Sequence, residues 1–189
     1  DAARRLSKTK PDKKAGAPKY APCLLCFKTD LKAQMTAKFP NASEIFQALA
    51  GNWTLVRDLG EAGQFTGDVT FHAADPDQPN VLRYREEGFL TRPDGKRFDG
   101  YREYDFVLHK DLGAIELLFR DPLSFGNRYV LLQFEEEGEE GVCARDIHPC
   151  GEDFYHHCMI WNGLDHFETK IKITGPKKDH LLHSIYRRA

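Results

Sequence analysis

The sequence predicts an all-β protein with short N-terminal helices, in which about 8–10 antiparallel strands run up and down and close into a barrel. Three observations carry this. From Trp53 onward apolar residues recur at every second position, and the alternating segments are parted by turn residues rather than helical stretches. An ordered series of hairpins also loses its exposed edges only by closing on itself.

The elements follow in chain order. Residues 1–28 read as a basic extended arm, since up to Pro22 they are mostly Lys, Arg, Ala, Gly and Pro and lack the apolar side chains needed to fold alone. Residues 1–20 hold seven Lys or Arg against two acidic residues (+5), leaving 20 against 27 (−7) in the rest, so arm and body differ in kind. Residues 29–50 read as two leading helices. The first runs from a Thr29/Asp30 cap through Leu31, Met35 and Phe39 to a stop at Pro40. The second begins after Asn41 or Ser43 with Ile45, Phe46, Leu49 and Ala50 on one face, and Gly51 stands where a C-terminal cap glycine belongs. Together they are expected to plug one end of the barrel.

Residues 51–189 form the barrel domain. After a strand at Trp53, Gln64 to Phe71 sets Phe65, Gly67, Val69 and Phe71 on one face and Thr66, Asp68 and Thr70 on the other. Val81 to Phe89, Phe98 to Leu108, Ala114 to Phe119, Arg128 to Phe134, Val142 to His148, Asp153 to Trp161, Phe167 to Thr174 and Leu181 to Tyr186 complete the series. Turns are expected at Asp75-Pro76-Asp77, Pro93-Asp94-Gly95, Asp111-Leu112-Gly113, Gly138 to Gly141, Pro149-Cys150-Gly151 and Asn162-Gly163.

A chain of 189 residues, 41% hydrophobic, fits one core rather than two domains. It holds no run of about 18 apolar residues, so no membrane-crossing helix is expected. Five cysteines, an odd number outside any disulfide-rich pattern, point to reduced thiols and an intracellular or organellar compartment. The absence of an initiator Met fits a processed product, and the basic, acid-poor arm resembles what remains near a mitochondrial presequence, although Ser is scarce and Asp1 is atypical. The expected location is mitochondrial, with cytoplasmic as the alternative.

Gly51-Asn52-Trp53 entering the first strand, with Arg187 and Arg188 closing the last, is similar to the lipocalin-like (calycin) signature, in which the first-strand Trp packs under a basic residue. That resemblance implies a barrel-closing cation–π pair of Trp53 with Arg187 or Arg188, with Arg187 preferred. Phe65-Thr66-Gly67, Tyr84-Arg85-Glu86-Glu87-Gly88, Arg102-Glu103-Tyr104, His148 to Tyr155 and Gly175-Pro176-Lys177-Lys178-Asp179 resemble, in order, the family of domain of unknown function 6314. His180 departs from its expected aromatic. The resemblance implies a fold and no activity.

Strand parity nominates the site. Tyr84 and Glu86 share the apolar face of one strand, and Arg102 and Tyr104 that of the next, so Glu86 and Arg102 are expected to meet inside the barrel. They read either as the polar end of a pocket for a carboxylate, phosphate or amide, or as a self-satisfied ion pair that fixes register. A second cluster, His148, Cys150, Asp153 and Tyr155, reads as a turn tied by Asp153 to backbone amides with His148 and Tyr155 inside the rim, or as pocket lining. Its spacing follows no usual zinc motif, Cys150 has no evident base, and Cys23-x-x-Cys26 lacks a second pair. His72, His109, His157 and His166 are lone candidates for haem. No metal or cofactor is expected.

No nucleophile–base set, phosphate loop or dinucleotide fingerprint is present, which disfavours an enzyme. The expected function is a non-catalytic accessory or structural subunit of a larger mitochondrial assembly, contacting its protein partners through arm 1–28. The alternative is a soluble carrier or sensor holding a small molecule, favoured if a lumen lined by Tyr84, Tyr104 and Tyr155 is open to at least about 300 Å3, whereas a lumen packed solid favours the scaffold. The arm also suits anionic lipid. With only Tyr20 as an interleaved aromatic, it does not suit sequence-specific nucleic acid.

Overall fold

The computed structural model describes residues 39–136 and 141–189. The expected arm, the Cys23-x-x-Cys26 pair and the first helix up to Lys38 lie outside the described residues. Helix α1, Ala42–Leu49, starts on a capping box: Asn41 Oδ1 accepts from the Ser43 and Glu44 amides at 2.9 and 3.1 Å, and Glu44 Oε2 accepts from the Asn41 amide at 2.8 Å. Such a cap is worth about 1 kcal/mol. The helix buries Ala42, Ile45, Phe46 and Leu49. Gly51 is not its cap, as the sequence suggested. Ala50 ends the helix in an extended conformation, and Gly51 (φ 120°) is already the first strand residue, so the chain passes from helix to sheet without a left-handed cap.

Ten strands follow: β1 Gly51–Asp58, β2 Gln64–Ala73, β3 Val81–Thr91, β4 Arg97–His109, β5 Ala114–Phe119, β6 Arg128–Glu136, β7 Val142–Cys150, β8 Asp153–Trp161, β9 His166–Gly175 and β10 Lys178–Arg188. Each pairs antiparallel with the next, and β10 returns to β1 from Trp53↔Arg188 to Asp58↔His183, closing the barrel. The expected alternation holds where the core forms, with Trp53, Leu55, Phe65, Val69, Phe71, Leu82, Tyr84, Phe106 and Leu108 all buried. Phe98 shares that face but is 47% exposed near the β3–β4 turn. Pro149 and Cys150 belong to β7 rather than to a turn. The hairpin needs only Gly151-Glu152, because Gly151 takes φ 63°.

Gly67, Gly88 and Gly100 stand in register across β2, β3 and β4. A Cβ on Gly88 would lie 2.2 Å from the Thr66 carbonyl oxygen, and one on Gly67 2.3 Å from that of Glu87. Three adjacent positions without side chains let the sheet bend tightly enough to close. Closure is weakest at another seam: among the described residues β6 and β7 pair only from Phe134↔Ala144 to Glu136↔Val142. Above that stretch, the Asp146 carboxylate takes the Leu131 amide at 2.7 Å.

The helix end of the barrel is shut. Trp53 donates its indole N–H to the Leu49 carbonyl at 2.8 Å, and the Arg188 guanidinium lies 4.2 Å from the Trp53 ring centroid. Arg188 also donates to the carbonyls of Ala48, Ala50 and Leu164, tying helix, strand and loop together. The expected partner Arg187 is displaced by one position: it registers with Thr54 and is exposed, because Ser184, Tyr186 and Arg188 are the β10 residues on the inner face.

Candidate functional site

The open end carries a funnel with a floor, a neck and a mouth. Trp53 and Leu55 point inward on β1, so Arg57 does also, and its side chain is only 11% exposed. Its guanidinium grips Glu86 in a two-pronged pair at 2.8 and 2.7 Å and donates to Ser184 Oγ at 2.8 Å. The hydroxyl of Tyr84 donates to the same carboxylate and lies 3.4 Å from the Tyr186 hydroxyl. Burial alone would raise the Glu86 pKa, but the hydrogen bonds and charge of Arg57, with the Tyr84 bond, hold it below the usual carboxylate value. Burial, with the charge of Glu86 among its other causes, pushes the Tyr84 phenol well up. This floor is therefore self-satisfied, as a buried ion pair must be.

The expected Glu86–Arg102 pair does not form. The two residues are cross-strand neighbours, but Arg57 supplies both prongs to Glu86 from β1. Arg102 instead lines the neck, exposed, and makes no hydrogen bond or ion pair among the described residues. Beside it Tyr104 and Tyr129 stack at 5.5 Å and 14°. Behind the neck is a chamber of about 40 Å3 lined by Arg57, Glu86, Arg102, Tyr186 and His157. His157 is buried, its Nδ1 has no partner among the described residues, and burial lowers its pKa to about 4, so it is neutral near pH 7.

The mouth is a cleft of about 570 Å3. His148 stands among rings, 5.3 Å from Phe119, 5.1 Å from Tyr129 and 6.2 Å from Tyr155. Cys150 lines the same cleft. Asp153 does not tie the hairpin to backbone amides. It pairs with Lys178 of β10 at 2.5 Å, because the two-residue β9–β10 turn brings that ammonium against it. Among the lone histidines, His72 is exposed, His109 pairs with Glu116 at 2.8 Å and His166 is 3.5 Å from Glu168 at the closed end. The described residues contain no cluster of three or more His, Cys, Asp or Glu suited to a metal ion.

Of the residues nominated from sequence, Tyr84 and Glu86 thus form the floor, Arg102 and Tyr104 the neck, and His148 and Tyr155 the mouth, with Asp153 on the rim. Arg57 was missed, although extending the Trp53, Leu55 alternation by two residues finds it. Tyr129 carried no such signal. The register of β5 and β6 shifts at Leu117/Leu118, and this bulge leaves Tyr129 and Val130, sequence neighbours, both buried.

Fold and site define the class: a closed ten-stranded antiparallel barrel of lipocalin-like form, shut at one end and open at the other. The chain belongs to the family of unknown function DUF6314, whose pattern matches residues 49–188. No curated protein matches its sequence. The S-type phycobiliprotein lyase CPES from Guillardia theta has a similar structure (TM-score 0.54, 12% identity, 79% of this chain and 93% of that one covered). A redesigned β-barrel, mFAP1, bound to DFHBI is also similar (TM-score 0.39, 14% identity, coverage 75% and 96%). So is a de novo designed fluorescence-activating β-barrel (TM-score 0.39, 14% identity, coverage 76% and 96%).

Proposed function

We propose that this protein is a non-catalytic, calycin-type barrel that binds a small organic molecule in its mouth. The observation that carries the reading is the cleft of about 570 Å3 walled by Tyr104, Phe119, Tyr129, His148 and Tyr155 over a self-satisfied floor. Ligand sites are typically concave, of about 300–1,000 Å3, with many apolar walls and few polar groups. The deep lumen is nearly filled, so the ligand sits high, against Tyr104 and Tyr155 rather than Tyr84. The lyase's name assigns that protein a lyase role; at 12% identity its likeness carries the fold alone, and the reading rests on the mouth.

The test is a fluorescence titration with 8-anilinonaphthalene-1-sulfonate. One saturable site per chain is expected, abolished by Cys150→Trp, which places an indole in the cleft from an exposed rim position. Failure of the dye to saturate, or indifference to Cys150→Trp, removes the reading.

The charge contrast between residues 1–20 and the rest favours a second reading, that of an accessory subunit held in a mitochondrial assembly by its arm. Native migration in a high-mass complex supports it, and migration as a single chain removes it.

A further inference from the structure

The charged side chains lining the funnel have partners among the described residues, with one exception. Arg57 is held by Glu86, Arg120 by Asp105 at 2.6 Å, and Glu103 by Arg85 at 3.0 Å. Asp121 accepts from the Leu123 and Ser124 amides in its own loop. Arg102 is left. In the chamber behind it two guanidiniums, Arg57 and Arg102, face one carboxylate, Glu86, and His157 is neutral. The neck therefore presents one uncompensated positive charge beside flat rings, Tyr104 and Tyr129 stacked nearly parallel.

We propose, on the reading that the mouth binds a small molecule, that its ligand is a planar organic anion whose acid group sits on the Arg102 guanidinium. A planar, fork-shaped cation with its donors unused suits a carboxylate, sulfonate or phosphate oxygen pair. The walls suit a ring system: Tyr104, Phe119, Tyr129 and His148 form one contiguous cluster of rings along the cleft, against which a flat ligand can lie. Behind the acid group, the chamber of about 40 Å3, which His157 lines, has room for one small polar substituent.

The test compares two dyes that differ by the acid group, 8-anilinonaphthalene-1-sulfonate and neutral N-phenyl-1-naphthylamine. The wild-type protein is expected to bind the sulfonate at least about tenfold more tightly. In Arg102→Gln that preference disappears through weaker sulfonate binding, with the neutral dye unchanged. Arg102→Lys, a point charge without the fork, keeps part of it. Arg102 is exposed and unpaired, so Arg102→Gln folds, and a thermal melt matching the wild type establishes this before titration. Equal affinity for the two dyes, or a preference that survives Arg102→Gln, overturns the anion assignment while leaving the mouth as a binding site. Absence of saturable binding by either dye overturns the underlying reading itself.

Discussion

Two inward-facing polar residues in one barrel behave in opposite ways, and the difference is their partners. Glu86 keeps its charge because Arg57 and Tyr84 satisfy it, whereas His157 loses its charge because burial outweighs the attraction of the Asp146 carboxylate for an imidazolium. The sign of the consequence follows. His157 titrates near 4 in the folded chain and near 6.5 when unfolded, so the unfolded chain binds more protons between those values. Its contribution is present above about pH 6.5 and is lost as pH falls toward 4, about 3 kcal/mol in all and about 2 kcal/mol of it by pH 5. Urea unfolding at pH 7 and pH 5 should show this loss, and His157→Leu should reduce the pH dependence by that amount. An unchanged dependence in the variant would place the titrating group elsewhere.

At the level of elements, the closed end depends on one residue reaching three segments. Arg188 covers Trp53 and donates to carbonyls at the end of α1 and in the β8–β9 loop. Arg188→Ala is expected to lose the cation–π contact and several charged hydrogen bonds, costing about 2–3 kcal/mol in urea. Arg187→Ala, one residue away on the outer face, should stay within about 0.5 kcal/mol of the wild type. Equal effects would contradict the β10 register. Most of this was legible: the Gly-x-Trp and the terminal Arg pair marked the closure, and the ten strands followed from alternation. The choice between Arg187 and Arg188 was a matter of parity against Tyr186.

The whole barrel closes unevenly. β9 and β10 share ten register pairs from Lys178↔Gly175 to Arg187↔His166, whereas β6 and β7 share three among the described residues. The upper halves of β6 and β7 hold few sheet bonds to each other, and they flank the mouth through Tyr129, His148 and Cys150. Native-state hydrogen exchange should therefore open amides of 128–133 and 145–150 well before those of 167–174 and 182–187. Bound 8-anilinonaphthalene-1-sulfonate should slow the first group selectively. Uniform exchange around the barrel would show the seam to be as tight as the rest.

Periodicity determined the strands, their order and the inward placing of Glu86, because a period of two admits one buried face and the turn residues leave little choice of connection. The same period along β1 places Arg57 on the inner face, two residues beyond Leu55. Three matters were decided only by tertiary structure. Strands distant in sequence decided who paired with Glu86, since β1 reaches it as well as β4. The β5–β6 bulge turned Tyr129 into the mouth against simple alternation. Packing of the deep rings, with Phe167 on Tyr186 at 4.2 Å and Phe71 on Phe106 at 5.1 Å, filled the lower lumen and confined open space to the rim. Local pattern fixes which face a side chain takes, whereas the volume left between faces depends on every strand at once.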